Sequence, residues 1–191
     1  IIEIDGAKYG KIDFNKGLIR YASDRFLEIE LVTNTVTGLK VPLSSIVTKE
    51  FYIIPSKYAT TNADSQETGF MVQSDGKNNT FVTSTIYAQE EQSGSKDDGE
   101  TSYIYYVDKK DFKEGDVIIS QKDQSKFVVS DIGVLEGVYC INQGYAVFRR
   151  IEILDQNEEY AIVSKATSYG LSRYDHIVRN ADNVNEEDIL Y

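Results

Sequence analysis

The sequence predicts an all-β chain arranged as two small β-barrel or sandwich-like units. Three observations lead there. The 191 residues include 14 tyrosines and only two prolines, with abundant Val, Ile and Thr, side chains that suit a pleated strand. Several runs alternate apolar and polar residues with a period of two. Polar turn residues separate these runs at the short spacing typical of barrels and sandwiches.

Taken in order, Ile1-Ile2-Glu3-Ile4 reads as a strand. In the next run Leu27, Ile29 and Leu31 form an apolar face opposite Phe26, Glu28, Glu30 and Val32. Ser56 to Thr60 reads as a short turn. Phe81, Thr83, Thr85 and Tyr87 alternate with Val82, Ser84, Ile86 and Ala88, as one strand would. Tyr103-Ile104-Tyr105-Tyr106-Val107 follows, then Val117-Ile118-Ile119 and Phe127-Val128-Val129. Ala146 to Leu154 and Tyr160 to Val163 complete the strands, and Ala181 to Ile189 reads as a short turn.

Turn chemistry supports the pattern. Ser74-Asp75-Gly76-Lys77 carries the Asp-Gly hairpin signal. Asn142-Gln143-Gly144 and Asp155-Gln156-Asn157-Glu158 predict two more hairpins. Between two tyrosine-rich strands lies a polar, acidic loop over residues 89–100. Phe112 to Ile118 and Leu171 to Ile177 form a faint internal repeat. In each, an apolar residue leads into a polar turn, and an Asp able to accept a backbone N–H precedes the next apolar segment.

The formal charge is -11, which disfavours nucleic acid and anionic lipid surfaces as partners. The single cysteine, Cys140, lies within the apolar run Val138 to Ile141 and reads as a small buried hydrophobe. No run approaches the ~20 apolar residues of a membrane span. The chain does not begin with methionine and reads as a fragment of a longer protein.

The residues offer little for catalysis. His176 is the only histidine, and its neighbour Asp175 would point to the opposite face of a strand. Glu90-Glu91 and Asp97-Asp98 lie in the polar loop, where carboxylates stay hydrated. Asp97-Asp98-Gly99-Glu100 offers oxygen ligands but not the spacing of a helix–loop–helix calcium site. No phosphate loop or dinucleotide fingerprint is present, so no cofactor is implied, and Asn78-Asn79-Thr80 is a formal glycosylation sequon. Tyr105 and Tyr106 fall on opposite faces of one strand. They are the candidate ligand or partner contacts, with core packing as the competing reading.

Four segments stand out in order: Val41-Pro42-Leu43-Ser44-Ser45-Ile46-Val47, Gly137-Val138-Tyr139-Cys140-Ile141, Ala146 to Ile153, and Gly170-Leu171-Ser172-Arg173-Tyr174-Asp175-His176-Ile177-Val178. Together they resemble the haemolysin D-type membrane fusion (periplasmic adaptor) family. The sequence is especially similar to the clostridial haemolysin D-like secretion protein variant. Tyr174 stands where the family has a turn glycine, so that turn is expected to differ. The first two segments, normally close together, are separated here by Thr48 to Glu136.

The resemblance implies a domain plan. Residues 1–40 would end a β-barrel-type domain. Residues 41–50 and 128–191 would form a membrane-proximal-type β domain, and 51–127 an inserted β unit carrying the acidic loop. It also implies a non-catalytic adaptor, anchored in the membrane by a helix upstream of Ile1 and facing the outside of the cell. Such an adaptor would contact a protein partner in a transport or envelope complex, and self-association into a homo-oligomer is compatible with it. The alternative is a surface ligand-binding module for sugar or peptidoglycan, suggested by the tyrosine-rich strands around the acidic loop.

Overall fold

The computed structural model describes residues 2–10, 26, 36–74, 78–92 and 102–190. The described residues are all-β, 52% of them in strands, and none of them forms a helix of seven or more residues. Two compact units divide at residues 35 and 36. In the first, β1 (Ile2–Ile4) pairs antiparallel with β2 (Ala7–Tyr9). Asp5 and Gly6 turn the chain between them with φ of +50° and +81°, the left-handed pair of a tight hairpin. The Leu27 to Val32 strand, the Asp75-Gly76 turn and most of the acidic loop lie outside the described residues.

The second unit holds three sheets. A five-stranded sheet runs in the order β13 (Tyr145–Arg150), β12 (Ile132–Asn142), β4 (Ile46–Pro55), β9 (Tyr103–Asp108), β8 (Ile86–Glu91). It curls into a nearly closed barrel, with β13 returning beside β8. Across that seam Arg150 donates to Glu90 at 2.5 Å; from neighbouring β9 the Tyr106 hydroxyl donates to the other Glu90 oxygen at 2.9 Å.

A half-barrel sheet joins β5 (Ala59–Thr61), β6 (Thr68–Ser74), β7 (Asn78–Thr83), β10 (Val117–Ile119) and β11 (Lys126–Val128). The third sheet joins β3 (Leu39–Pro42), β15 (Tyr160–Val163) and β14 (Ile153–Gln156).

Side-chain parity on β4 and β12 links the three layers. Phe51, Leu135 and Tyr139 point into the barrel, where they pack with Tyr87, Tyr106 and Phe148. Tyr52 and Ile54 point outward and pack with Phe70, Phe112 and Ile118 under the half-barrel. Val138 and Cys140 point outward further along, against Val41, Ala161 and Val163 of the third sheet. Successive strand residues face opposite sides, so one strand can feed two cores. Fully burying one such side chain contributes about 1.5–3 kcal/mol. Inside the barrel the Phe51–Tyr87 and Phe51–Phe148 ring centroids lie 4.9 and 5.4 Å apart, in the tilted geometry aromatic pairs prefer.

Two expected strands divide where the chain changes sheet. The alternating run from Phe81 to Ala88 breaks at Ser84, which is 5% exposed. The Ser84 N–H donates to the Thr68 carbonyl at 3.2 Å, and its hydroxyl donates to Asp111 at 2.6 Å. That satisfies the buried crossing from half-barrel to barrel. Ala146 to Leu154 divides likewise, with Ile151 donating to the Glu136 carbonyl at 2.9 Å before the third sheet begins. The barrel therefore draws β8 and β9 from the segment 51–127, leaving β5–β7, β10 and β11 as the half-barrel. Ser56–Tyr58 forms a 3-10 turn, within the expected Ser56 to Thr60.

The internal repeat is one turn used three times. Backbone N–H groups of Lys113, Ser172 and Asn185 donate to the carboxylates of Asp116, Asp175 and Asp188 at 2.8, 2.8 and 2.7 Å. Each Asp N–H returns to the carbonyl three residues back, at 3.0, 3.2 and 3.2 Å. The residue before each Asp is left-handed: Gly115 at +91°, Tyr174 at +76° and Glu187 at +70°. Within this chain the Tyr174 turn thus matches the Gly115 turn. Tyrosine adopts the glycine conformation, and the paired hydrogen bonds are kept. Each turn delivers the chain to a strand: Val117 opens β10, Ile177 bridges Cys140, and Ile189 bridges Tyr145.

Among the described residues, no helix is long and apolar enough to cross a membrane.

Candidate functional site: a charge cluster inside the barrel

The residues with most chemistry meet inside the barrel. Asp108 ends β9 directly opposite Phe51 of β4, so its side chain shares the inward face. Lys49 lies two residues before Phe51 and therefore points the same way. Its Nζ donates to Asp108 Oδ2 at 2.6 Å and also to Glu186. Glu186 is carried in by the third Asp turn. Its other oxygen accepts the Tyr87 hydroxyl at 2.7 Å, and the Phe148 N–H at 3.4 Å.

The Lys49 ammonium sits 5.2, 5.1 and 6.0 Å from the ring centroids of Phe51, Tyr87 and Phe148. Rings at this range attract a cation. The three charged side chains are only 20%, 8% and 11% exposed.

The electrostatics favour the ionised pair. Burial alone would lower the Lys49 pKa, but hydrogen bonds and Coulombic attraction from Asp108 and Glu186 together raise it above its ordinary 10.5. Burial would likewise raise Asp108, yet the Lys110 N–H at 2.9 Å and the Lys49 ammonium hold it below its ordinary value. Burial, then the bond to Glu186, pushes the Tyr87 phenol far above its ordinary range.

A cleft of about 380 Å³ opens beside the cluster, between the edges of β8 and β13. Tyr87, Phe148 and Glu186 form part of its lining, and Lys110, Asp111 and Arg149 supply charge. Two further tyrosines in its lining, Tyr145 and Tyr169, are 50% and 45% exposed.

The residues singled out from sequence fall mostly elsewhere. Tyr106 is 8% exposed, lies in the barrel core, and has its phenol pushed up to about 12, first by burial and then by its bond to Glu90. Tyr105 is half-buried against the outer core under the half-barrel. His176 is exposed, while the Asp175 carboxylate is held by the Ser172 N–H. Cys140 is buried, as expected, and burial pushes its thiol up to about 12. Asp97-Asp98-Gly99-Glu100 lies outside the described residues. Among the described residues, no group of three or more His, Cys, Asp or Glu side chains is placed to hold a metal ion.

Lys49, Asp108 and Glu186 were not legible as a site, because 59 and 137 positions separate the bonded pairs. The one available signal was a lysine and an aspartate at inward positions of strands with apolar neighbours.

Comparison with family models, characterised proteins and solved structures finds no match to this chain.

Proposed function

We propose that this chain is a non-catalytic scaffold, part of a membrane-anchored adaptor of the haemolysin D type. It works by protein–protein contact with a transport or envelope complex outside the cell. One observation carries the reading: the four segments that resemble the family lie on one hydrogen-bonded path. Ile46 and Val47 pair with Val138 and Gly137, and β12 pairs with β13. Ile177 bridges Cys140, and the Ser45 hydroxyl donates to the Arg179 carbonyl at 3.1 Å. Segments distant in sequence thus form a common β framework, as a shared domain would require.

The test is made on the whole gene product in intact cells. It should sediment with membranes, be cut by externally added protease, and crosslink in the cell to a membrane transport or envelope protein. Recovery in the soluble cytosolic fraction, protected from protease, overturns the reading.

A second reading, a surface module for sugar or peptidoglycan, is favoured by the cleft and its half-exposed Tyr145 and Tyr169. Rings of this kind present a flat apolar face with a polar tip. Titration with cell-wall fragments should saturate and weaken in Tyr145→Ala and Tyr169→Ala. A flat titration removes it.

A further inference from the structure

We propose that Lys49 and Asp108 are the two ends of an intramolecular isopeptide bond, with Glu186 as the proton carrier that forms it. The parts are in place. The amine and carboxylate lie 2.6 Å apart on paired strands, and a second carboxylate touches the same amine. Three aromatic rings surround the amine. The Lys110 N–H holds Asp108 Oδ1 at 2.9 Å, leaving Oδ2 toward the amine. The Tyr87 hydroxyl fixes Glu186 from its other oxygen.

The reaction is a condensation, with no oxidation and no co-reactant. Glu186 takes one proton from the Lys49 ammonium and passes it to Asp108 Oδ2, giving a free amine and a neutral acid. The Nζ lone pair attacks Asp108 Cγ. The Lys110 N–H stabilises the negative charge that grows on Oδ1. Glu186 then moves a second proton from nitrogen to the Oδ2 hydroxyl, the Cγ–Oδ2 bond breaks, and water leaves. The ammonium and carboxylate have become an amide and one water, and Glu186 ends ionised as it began.

In bulk water hydration of the two ions opposes this step. Inside the barrel that hydration is already largely lost, so it opposes the step less, and the attraction within the ion pair is what the condensation must overcome. The fold supplies the encounter: groups held at contact react as though at very high concentration. The product ties β4 to β9 and closes a covalent loop around β5 to β8.

Intact-mass measurement and peptide mapping of the purified chain test this. The expected mass is lower than the sequence mass by one water, with the Lys49 peptide joined to the Asp108 peptide. Asp108→Ala and Glu186→Gln should both show the full mass for their sequences. The unsubstituted protein at full sequence mass overturns the proposal, whatever the variants do. So does a missing water located elsewhere, with the two peptides separate. A crosslink that persists in Glu186→Gln overturns the role given to Glu186.

Discussion

The ring of Phe148 lies against the backbone of Gly137, where a Cβ on that glycine would overlap the ring and the Arg149 carbonyl. Gly137 sits mid-strand in β12, between Val47 of β4 and Arg150 of β13, so neither side can give way easily. A strand glycine here admits a close approach that the barrel core needs. Gly137→Ala should therefore destabilise the fold by about 1–3 kcal/mol, the usual cost of overpacking a core. Urea unfolding checks it; an unchanged midpoint would show that Phe148 has room to move.

The Asp turns offer a matched pair of backbone tests. A Cβ at Gly115 would meet nothing within 4 Å, so Gly115→Ala changes only the conformational preference at φ +91°. It should cost about 1 kcal/mol. Tyr174 is 82% exposed at φ +76°, and Tyr174→Gly should raise stability by about 0.5 kcal/mol once the entropy of glycine is subtracted. Opposite signs at equivalent positions, read from thermal or urea unfolding, are the expected result.

Stability should fall on the alkaline side. Burial raises the Cys140 thiol from 9.0 to about 12 and the Tyr106 phenol from 10.0 to about 12. Both stay neutral in the fold but ionise once the chain unfolds. Their contribution is fully present below pH 9.0 and is lost as the pH rises toward about 12. Urea midpoints across that window should decline, and Cys140→Ala should flatten the part beginning near the ordinary thiol value. For the same reason, iodoacetamide should label Cys140 in urea and leave it unlabelled in the native protein.

Lys49→Ala should be among the most destabilising changes in the barrel. It leaves the Asp108 and Glu186 carboxylates facing an aromatic interior without their cation. Breaking a buried pair in this way typically costs about 3–5 kcal/mol, and loss of the proposed amide link to Asp108 would add to it. A loss below about 1 kcal/mol, the scale of surface ion pairs, would place the cluster in solvent.

Much of the fold was legible because local chemistry enforced it. Asn142-Gln143-Gly144 turned as expected, since Gln143 and Gly144 take φ of +51° and +88° between paired β12 and β13. The Asp116 and Asp175 turns were visible through their shared spacing. The third copy, at Asp188, follows the same order from Val184 to Leu190 but reads from sequence only as part of the Ala181 to Ile189 turn. The split at Ser84 was hidden because alternation continues across it; only the tertiary bonds to Thr68 and Asp111 reveal that the chain changes sheet. From sequence, Tyr105 and Tyr106 read on opposite faces of one strand, as contacts or as core; period-two parity sets the faces, but only barrel closure decides that the Tyr106 face is inside. The charge cluster depended on long-range pairing of β4 with β9 and on a terminal turn, neither of which leaves a local pattern.

Force offers one more way to see β4 and β12. Their ladder runs from Ile132 opposite Tyr52 to Val138 opposite Ile46. The half-barrel grips one end of its outer surface through Tyr52 and Ile54, and the third sheet grips the other through Val138 and Cys140. A tug on either outer layer must travel through the same short ladder before it reaches the opposite one. That ladder is where strain between the two outer layers would be carried, and where a rupture would disconnect both sides at once.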